Sequence, residues 1–446
     1  MELIIEEILI YSAVAILCIA VVAIYLRVQV RKTRDTERKI AIAKEERTFD
    51  PVSLHPEVDV NTCIGSGACI NACPEKDILG LRNGKATLVN ASRCVGHGAC
   101  FHACPVQAIT LCIGTETRGV DLPHVSQNFE TNVKGIYIAG ELGGMGLIKN
   151  SVEQGRQAME NIAKSLKDDH TAEYDVIVIG AGPAGISGAL TAKKNKLKFA
   201  VLEQDTLGGT VYTFPRSKIV MTSPMDLPLK GKVKLHETSK NELLELWNEV
   251  LGANDITINE GQKVEEISSD DDNGTFIVRT SKGDQFSTAR VLLSIGRRGT
   301  PRKLGVPGED TQKVAYRLLE PEMISGKNII VVGGGDSAIE SALLLKDDNN
   351  VILSYRRDAF SRIKPKNNSK VQAAIEDGSL KCEFESNVTE IKGDHISLKM
   401  KDGEVKDIPN DLIYIFAGGE LPTKFLERAG IKITKRFNYA LLKHDK

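Results

Sequence analysis

The sequence predicts an α/β protein with a small α+β domain and one membrane-spanning helix, and three observations predict it. Apolar strands run into a glycine-rich turn and then a helix at 174–190 and again at 328–342. A cysteine-rich stretch repeats itself between Cys63 and Cys104. An uncharged apolar run covers Ile8 to Leu26. The composition, 41% hydrophobic and 26% charged, is that of folded domains and excludes a largely disordered chain. The net charge of -1 offers no general field for nucleic acid. A length of 446 residues leaves room for roughly three domains.

As a helix, Ile8 to Leu26 would rise ~28 Å, close to the ~30 Å hydrocarbon core of a bilayer. Glu2, Glu6 and Glu7 precede it, and Arg27, Arg31, Lys32, Arg34, Arg38 and Lys39 follow it. The positive-inside rule then places the downstream domains on the cytoplasmic side of the inner (cytoplasmic) membrane, held by a single pass. A cleaved signal peptide would begin with basic residues, and this one begins with acidic ones. A lipoprotein signal would need a small residue where Leu17 precedes Cys18. Residues 1–40 are therefore read as anchor and basic juxtamembrane segment. Residues 33–60, with Pro51 and Pro56, read as a juxtamembrane helix followed by a linker.

Six of the nine cysteines lie in CIGSGACINACP (63–74) and CVGHGACFHACP (94–105), two copies of one pattern. Clustering of this kind points to metal chemistry in a reducing compartment rather than to a disulfide framework. Gly65, Gly67, Gly96 and Gly98 permit the tight backbone path. Zinc would ordinarily be held by two C-x2-C knuckles, which this spacing does not supply. The runs are similar to the C-x2-C-x2-C-x3-C-P pattern of bacterial two-cluster ferredoxins, with Ser66 and His97 where the second cysteines would stand. Residues 55–112 thus resemble a ferredoxin-like iron–sulfur domain. The resemblance implies one cluster on Cys63, Cys69 and Cys104 with Ser66 at the fourth corner. It implies a second on Cys73, Cys94 and Cys100 with His97 at the fourth corner. Either a 4Fe-4S or a 3Fe-4S cluster suits these sets. Cys112 and Cys382 read as structural thiols.

The first glycine turn, YDVIVIGAGPAGISGAL, is a G-x-G-x-x-G fingerprint. Gly180 makes the turn, Gly182 lets the backbone approach a pyrophosphate, Pro183 and Ala184 begin the helix, and Gly185 lets the helix pack on the strand. The following strand, Phe199 to Leu202, ends in Glu203, placed to bind ribose hydroxyls. The second unit, NIIVVGGGDSAIESA, puts Gly333, Gly335 and Ala338 in the fingerprint positions, with Asp336 and Ser337 opening the helix. Its second strand ends without an acid and runs into Arg356 and Arg357, with Arg362 nearby. Arginines there suit the extra phosphate of NADP, and NAD is the alternative.

Two Rossmann-like dinucleotide-binding domains in this arrangement resemble the thioredoxin-reductase-like flavoproteins. The resemblance implies FAD on the first unit and the nicotinamide on the second. It places the loop of Gly208, Gly209 and Thr210 beside the flavin, and 291–310 at the crossover between domains. That family's last flavin motif normally follows the nicotinamide domain, but its likeness here is 131–163, with Gly140 and with Glu141 at the family's Asp position. The sequence therefore reads as circularly permuted. The FAD domain is expected at 120–310 and 409–446, and the NAD(P) domain at 311–408. The C-x2-C disulfide of thioredoxin reductases is missing, since 312–328 contains no Cys.

Together these pieces predict a membrane-anchored oxidoreductase passing electrons from NADPH through FAD to the clusters. A flavin is the usual converter between hydride and single-electron carriers. The expected partners are the lipid bilayer and an electron acceptor or donor at the membrane or on a soluble redox protein, with a homodimer by analogy. No nucleic acid partner and no catalytic acid or base are expected. A disulfide or other small-substrate reductase, or a redox or iron sensor, are the alternative readings.

Overall fold

The computed structural model describes residues 2–444 except 47, 52–53, 76, 95, 145, 167–169, 215–218, 222–223, 236, 271–273, 298–299 and 361–362. The N-terminal apolar run forms the first half of one long helix, α1 (Glu2–Glu45). Its large apolar side chains from Leu9 to Val30 are exposed, and it is long and apolar enough to cross a membrane, with a mean hydropathy of 2.7 over an 18-residue stretch. Helix α1 continues without a break to Glu45, taking in the first part of the stretch read as a juxtamembrane helix followed by a linker. What holds this second half is packing. Thr36 and Ala43 are buried, and a Cβ on Gly80 would meet Thr36 at 2.8 Å.

The cysteine-rich segment follows as β1 (His55–Val58), α2 (Ala68–Ala72), the hairpin β2 (Leu79–Arg82) and β3 (Lys85–Leu88), α3 (Ala99–Ala103) and β4 (Ile109–Ile113). Strands β1 and β4 pair antiparallel, with His55 opposite Cys112. The two five-residue helices each start at a glycine in the left-handed conformation, Gly67 at φ 73° and Gly98 at φ 75°, where a side chain would be strained. This segment and α1 form one compact unit, up to Gly119.

The second unit, Val120–Arg436, is built on two sheets. It starts with β5 (Val120–Pro123), β6 (Ile136–Ile138), α4 (Ile148–Ser165), β7 (Tyr174–Ile179), α5 (Pro183–Lys194) and β8 (Phe199–Leu202). Short strands β9 (Ile219–Met221), β10 (Met225–Leu227), β11 (Gly231–Val233) and β12 (Glu237–Ser239) pair as β9 with β12 and β10 with β11. Next come α6 (Lys240–Ala253), β13 (Ile258–Asn259), β14 (Val264–Asp270), β15 (Thr275–Thr280) and β16 (Gln285–Leu293). The first sheet runs β13-β8-β7-β16-β15-β14, and β6 joins it in parallel on β16, with Ile136 opposite Val291. Helix α6 begins with a full capping box between Ser239 and Glu242, a local stop that starts the helix at Lys240.

The chain crosses at β17 (Thr300–Pro301) into β18 (Val314–Ala315), β19 (Asn328–Val332), α7 (Asp336–Leu345), β20 (Asn350–Tyr355), α8 (Pro365–Glu376) and β21 (Lys381–Phe384). A meander of β22 (Ser386–Ile391), β23 (His395–Met400) and β24 (Val405–Pro409) precedes β25 (Leu412–Ile415). The second sheet is parallel, in the order β18-β25-β19-β20-β21. The chain returns through β26 (Gly419–Glu420), paired with β17, to α9 (Thr423–Arg428) and β27 (Ile433–Arg436), paired with β5. Leu426, Ala429 and Ile431 are buried in the core of the first sheet with Ile177, Leu202 and Leu293.

The segment 409–446, expected as one piece of the FAD domain, is divided three ways. Strand β25 is a central strand of the nicotinamide sheet, because its run LIYI is buried from both faces by that sheet's own layers. Only α9 and the residues around it pack back onto the core of the first sheet, while β26 and β27 pair with β17 and β5. The last strand, β28 (Tyr439–Leu442), leaves this unit altogether and pairs antiparallel with β4 of the cysteine-rich unit, Ala440 opposite Cys112.

Candidate functional site

The first fingerprint is built on the end of β7. Gly180 turns at φ 100°, and a Cβ on it would lie 2.7 Å from the Ser294 carbonyl. The Ser294 hydroxyl lies 2.9 Å and 2.8 Å from the carbonyl oxygens of Ile179 and Gly180, pinning the turn from below. Gly185 is forced by close approach, since its Cβ would fall 1.9 Å from the Gly180 carbonyl oxygen. Gly182 is the opposite case: a Cβ there would meet nothing within 4 Å. That open space lies before the N-terminus of α5, where Pro183 and Ala184 start the helix and no side chain caps it. The arrangement suits a pyrophosphate received by backbone N–H groups.

Glu203 ends β8 almost wholly buried and accepts N–H bonds from Ala181 at 2.7 Å and Asp205 at 3.0 Å. Burial raises its pKa. Its position beside the glycine turn is where ribose hydroxyls would be bound. The Gly208–Gly209–Thr210 loop closes on the same place. The Gly208 N–H donates to the Ala181 carbonyl at 2.9 Å, and a Cβ on Gly209 would stand 3.4 Å from the Gly182 Cα.

The relocated segment reaches this site too. Strand β6 ends at Gly140, φ 87°, followed by Glu141 and by α4, which lies along α5. The Gly140 N–H donates to Gln154 Oε1 at 2.8 Å. Leu147 takes a positive φ of 75° at the start of α4, a strained conformation beside the turn. Gln154, Leu147 and Ser294 carry no motif signal, and the sequence reading does not single them out.

In the second unit Gly333 turns at φ 143° and packs against Ala338, with 3.1 Å between its would-be Cβ and that side chain. Gly335 precedes α7 with no side-chain cap and open space at its Cβ position. Asp336 is turned to α8, accepting from the Lys364 N–H at 2.8 Å and the Asn367 amide at 2.6 Å. Ser337 is exposed on the first turn. Arg356 is exposed and Arg357 half-buried just past β20, whereas Arg362 lies outside the described residues. A basic pair at this strand end fits a ribose phosphate.

The structure places the six clustered cysteines around two cavities, three to each. Cys63, Cys69 and Cys104 line one small cavity with Ser66 and Gly67 at its wall. Cys73, Cys94 and Cys100 line a second with His97. Burial, then the neighbouring Cys63 and Cys104, raise the Cys69 thiol. Burial chiefly pushes Cys94 up to about 11 and Cys100 up to about 12. Among the described residues no group of His, Cys, Asp or Glu is drawn together as a lone metal ion needs. Three soft sulfurs around a cavity fit an iron–sulfur cluster. Backbone N–H groups already face two of the sulfurs, Ala86 to Cys63 Sγ at 3.4 Å and Ala108 to Cys104 Sγ at 3.2 Å. The Ser66 hydroxyl accepts from the Ala68 N–H at 3.4 Å, within its own turn. Cys112 lies in neither cavity and donates to Glu57 Oε2 at 3.2 Å; Cys382 sits in β21.

Residues 177–445 match the pyridine nucleotide-disulphide oxidoreductase family, and residues 55–105 match the 4Fe-4S dicluster domain. Bacilliredoxin reductase Bdr of Bacillus subtilis is 28% identical over 264 residues, 58% of this chain and 81% of its own. A ferredoxin–NADP reductase of Ignicoccus hospitalis is 26% identical over 249 residues, 56% of this chain and 78% of its own. The solved bacillithiol disulfide reductase Bdr (YpdA) of Staphylococcus aureus superposes with a TM-score of 0.52 at 26% identity, covering 59% of this chain and 84% of that one. The chain therefore belongs to the pyridine nucleotide-disulphide oxidoreductase family, as an FAD-containing NAD(P)-linked oxidoreductase that also carries an iron–sulfur domain.

Proposed function

We propose that this protein is a membrane-anchored reductase that takes electrons from NADPH and delivers them through FAD and its two iron–sulfur clusters to an acceptor at the membrane. The observation that carries this reading is the pair of cysteine-lined cavities in a chain that also holds two dinucleotide-binding turns. Bound FAD supplies the exchange between a two-electron hydride donor and one-electron carriers. Gly180, Gly182, Gly185, Glu203, Gly140 and Glu141 would hold it, and Gly333, Gly335, Ala338, Arg356 and Arg357 would hold NADP. The cysteine triads, with His97 on the second, would hold the clusters. Helix α1 supplies the anchor, with the domains on the cytoplasmic side as its flanking charges favour.

A disulfide reductase is the second reading, favoured by the likeness to bacilliredoxin reductase. An anaerobic NADPH titration followed by absorbance and EPR separates the two. Flavin bleaching in step with a reduced-cluster signal is expected. Bleaching with clusters that stay oxidised would sink the relay, and NADPH-dependent turnover of a disulfide in the same sample would establish the second reading.

A further inference from the structure

The path of α1 over the cysteine-rich unit sets the order of the two cysteine sites relative to the bilayer. At a rise of ~1.5 Å per residue, Thr33 lies about 10 Å beyond Leu26, at the outer edge of the headgroup layer. The β2–β3 hairpin runs along this stretch with its tip toward Leu26. Asp77 pairs with Lys39 at 2.8 Å, Gly80 lies against Thr36, and the Asn83 N–H at the tip donates to Thr33 Oγ1 at 3.0 Å. The tip touches the first cysteine loop. A Cβ on Gly65 would fall 1.9 Å from the Gly84 carbonyl oxygen, and the Lys85 ammonium donates to the Cys63 carbonyl.

The second site belongs to the other end of the helix. Arg93, next to Cys94, pairs with Glu46 at 3.3 Å, and the Ser92 N–H donates to the Thr48 carbonyl at 3.1 Å. Glu46, just past the end of α1, is about 20 Å farther along the helix direction than Thr33. Exposure follows the same order. Val60 and Ile64, in and before the first loop, are 55% and 64% exposed. Within 91–100 no described residue is exposed. Arg27, Arg31 and Lys32 lie on α1 between Leu26 and the hairpin tip at Thr33, where anionic headgroups would meet them.

We propose that the loop carrying Cys63 rests on the bilayer surface, with Val60 and Ile64 in the interfacial layer. The Cys63–Cys69–Cys104 site is then the membrane-side one, and the Cys73–Cys94–Cys100 site is the inner one. This rests on α1 being the membrane anchor, and the test keeps the two apart. A photo-crosslinking benzophenone amino acid replaces Tyr11, Ile64 or Glu46 in the full chain, reconstituted in vesicles of phosphatidylethanolamine and phosphatidylglycerol. All three side chains are exposed, so folding is not at stake. Lipid adducts are counted by mass spectrometry after irradiation. The expected result is adducts at positions 11 and 64, with position 64 at least about tenfold above position 46. Adducts at 11 alone, or equal labelling at 64 and 46, overturn the proposal and leave the anchor standing. No adduct at 11 overturns the anchor and the proposal with it.

Discussion

Gly155 lies against Ala184 so closely that a Cβ on the glycine would sit 2.1 Å from the alanine carbonyl oxygen. The relocated helix α4 and the fingerprint helix α5 therefore meet backbone to backbone, and the relocated segment is part of the flavin site's own frame. Gly155→Val should force them apart at a cost of about 1–3 kcal/mol. Urea unfolding should shift to lower midpoint, and flavin recovered with the purified protein should fall. Native stability and full flavin content in the variant would show that the contact is slack.

Glu203 gives a pH signature. Burial raises its pKa, so the folded chain holds this proton to higher pH than the unfolded chain does. Stability must then decline as pH rises from the ordinary glutamate range, about 4.3, to the raised folded value. Glu203→Gln removes that slope, which urea midpoints of the flavin-free protein across this window will read. The same variant presents an amide to the Ala181 and Asp205 N–H groups, and FAD should bind about tenfold more weakly.

Arg356 and Arg357 bear on coenzyme choice. Losing a charge-assisted contact to a phosphate costs roughly 1.5–3 kcal/mol. Arg356→Ala with Arg357→Ala should raise the KM for NADPH at least about tenfold while leaving the KM for NADH nearly unchanged. Equal losses for both coenzymes would place the phosphate elsewhere.

Ser66 and His97, which line the two cysteine cavities, differ in chemistry, and each can be changed alone. His97→Cys replaces a neutral imidazole with a thiolate and should lower one reduction potential by on the order of 100 mV. Ser66→Cys adds a thiolate beside the other cavity and should raise iron retained after dialysis. EPR-monitored redox titration reads both, and the two variants should alter different signals.

Removing residues 437–446 should strip β4 of one neighbour and expose its edge. Iron content should fall several-fold, with flavin content kept, because β28 pairs only within the cysteine-rich unit. Unchanged iron content would mean that β1 and β4 suffice.

What was legible in the sequence was whatever the backbone itself demands. Gly180 and Gly185 are dictated by a turn and a close approach, Glu203 by the end of a strand, and the cysteines by spacing. These are local requirements and leave local marks. The tail YALL in β28 is a short alternation that would suit many edges, and its partner lies in a distant part of the sequence. Strand β25 was assigned to the wrong sheet for the same reason: LIYI says that it is buried, not which sheet buries it. Gln154 acts through one side-chain oxygen on one N–H, and no pattern announces that. The juxtamembrane helix was legible, but its seat was not: Thr36 lies against Gly80 of the hairpin, a tertiary contact with no local mark.

The pairing of β4 with β28 also has a meaning in time. During synthesis α1 and the cysteine loops emerge before the dinucleotide-binding unit, and domains tend to fold in that order. Yet one flanking strand of β4 is translated only after the whole dinucleotide-binding unit. Until then the nascent cysteine-rich unit waits with an open sheet edge. The sheet beside the cysteine loops closes only once β28 has been made.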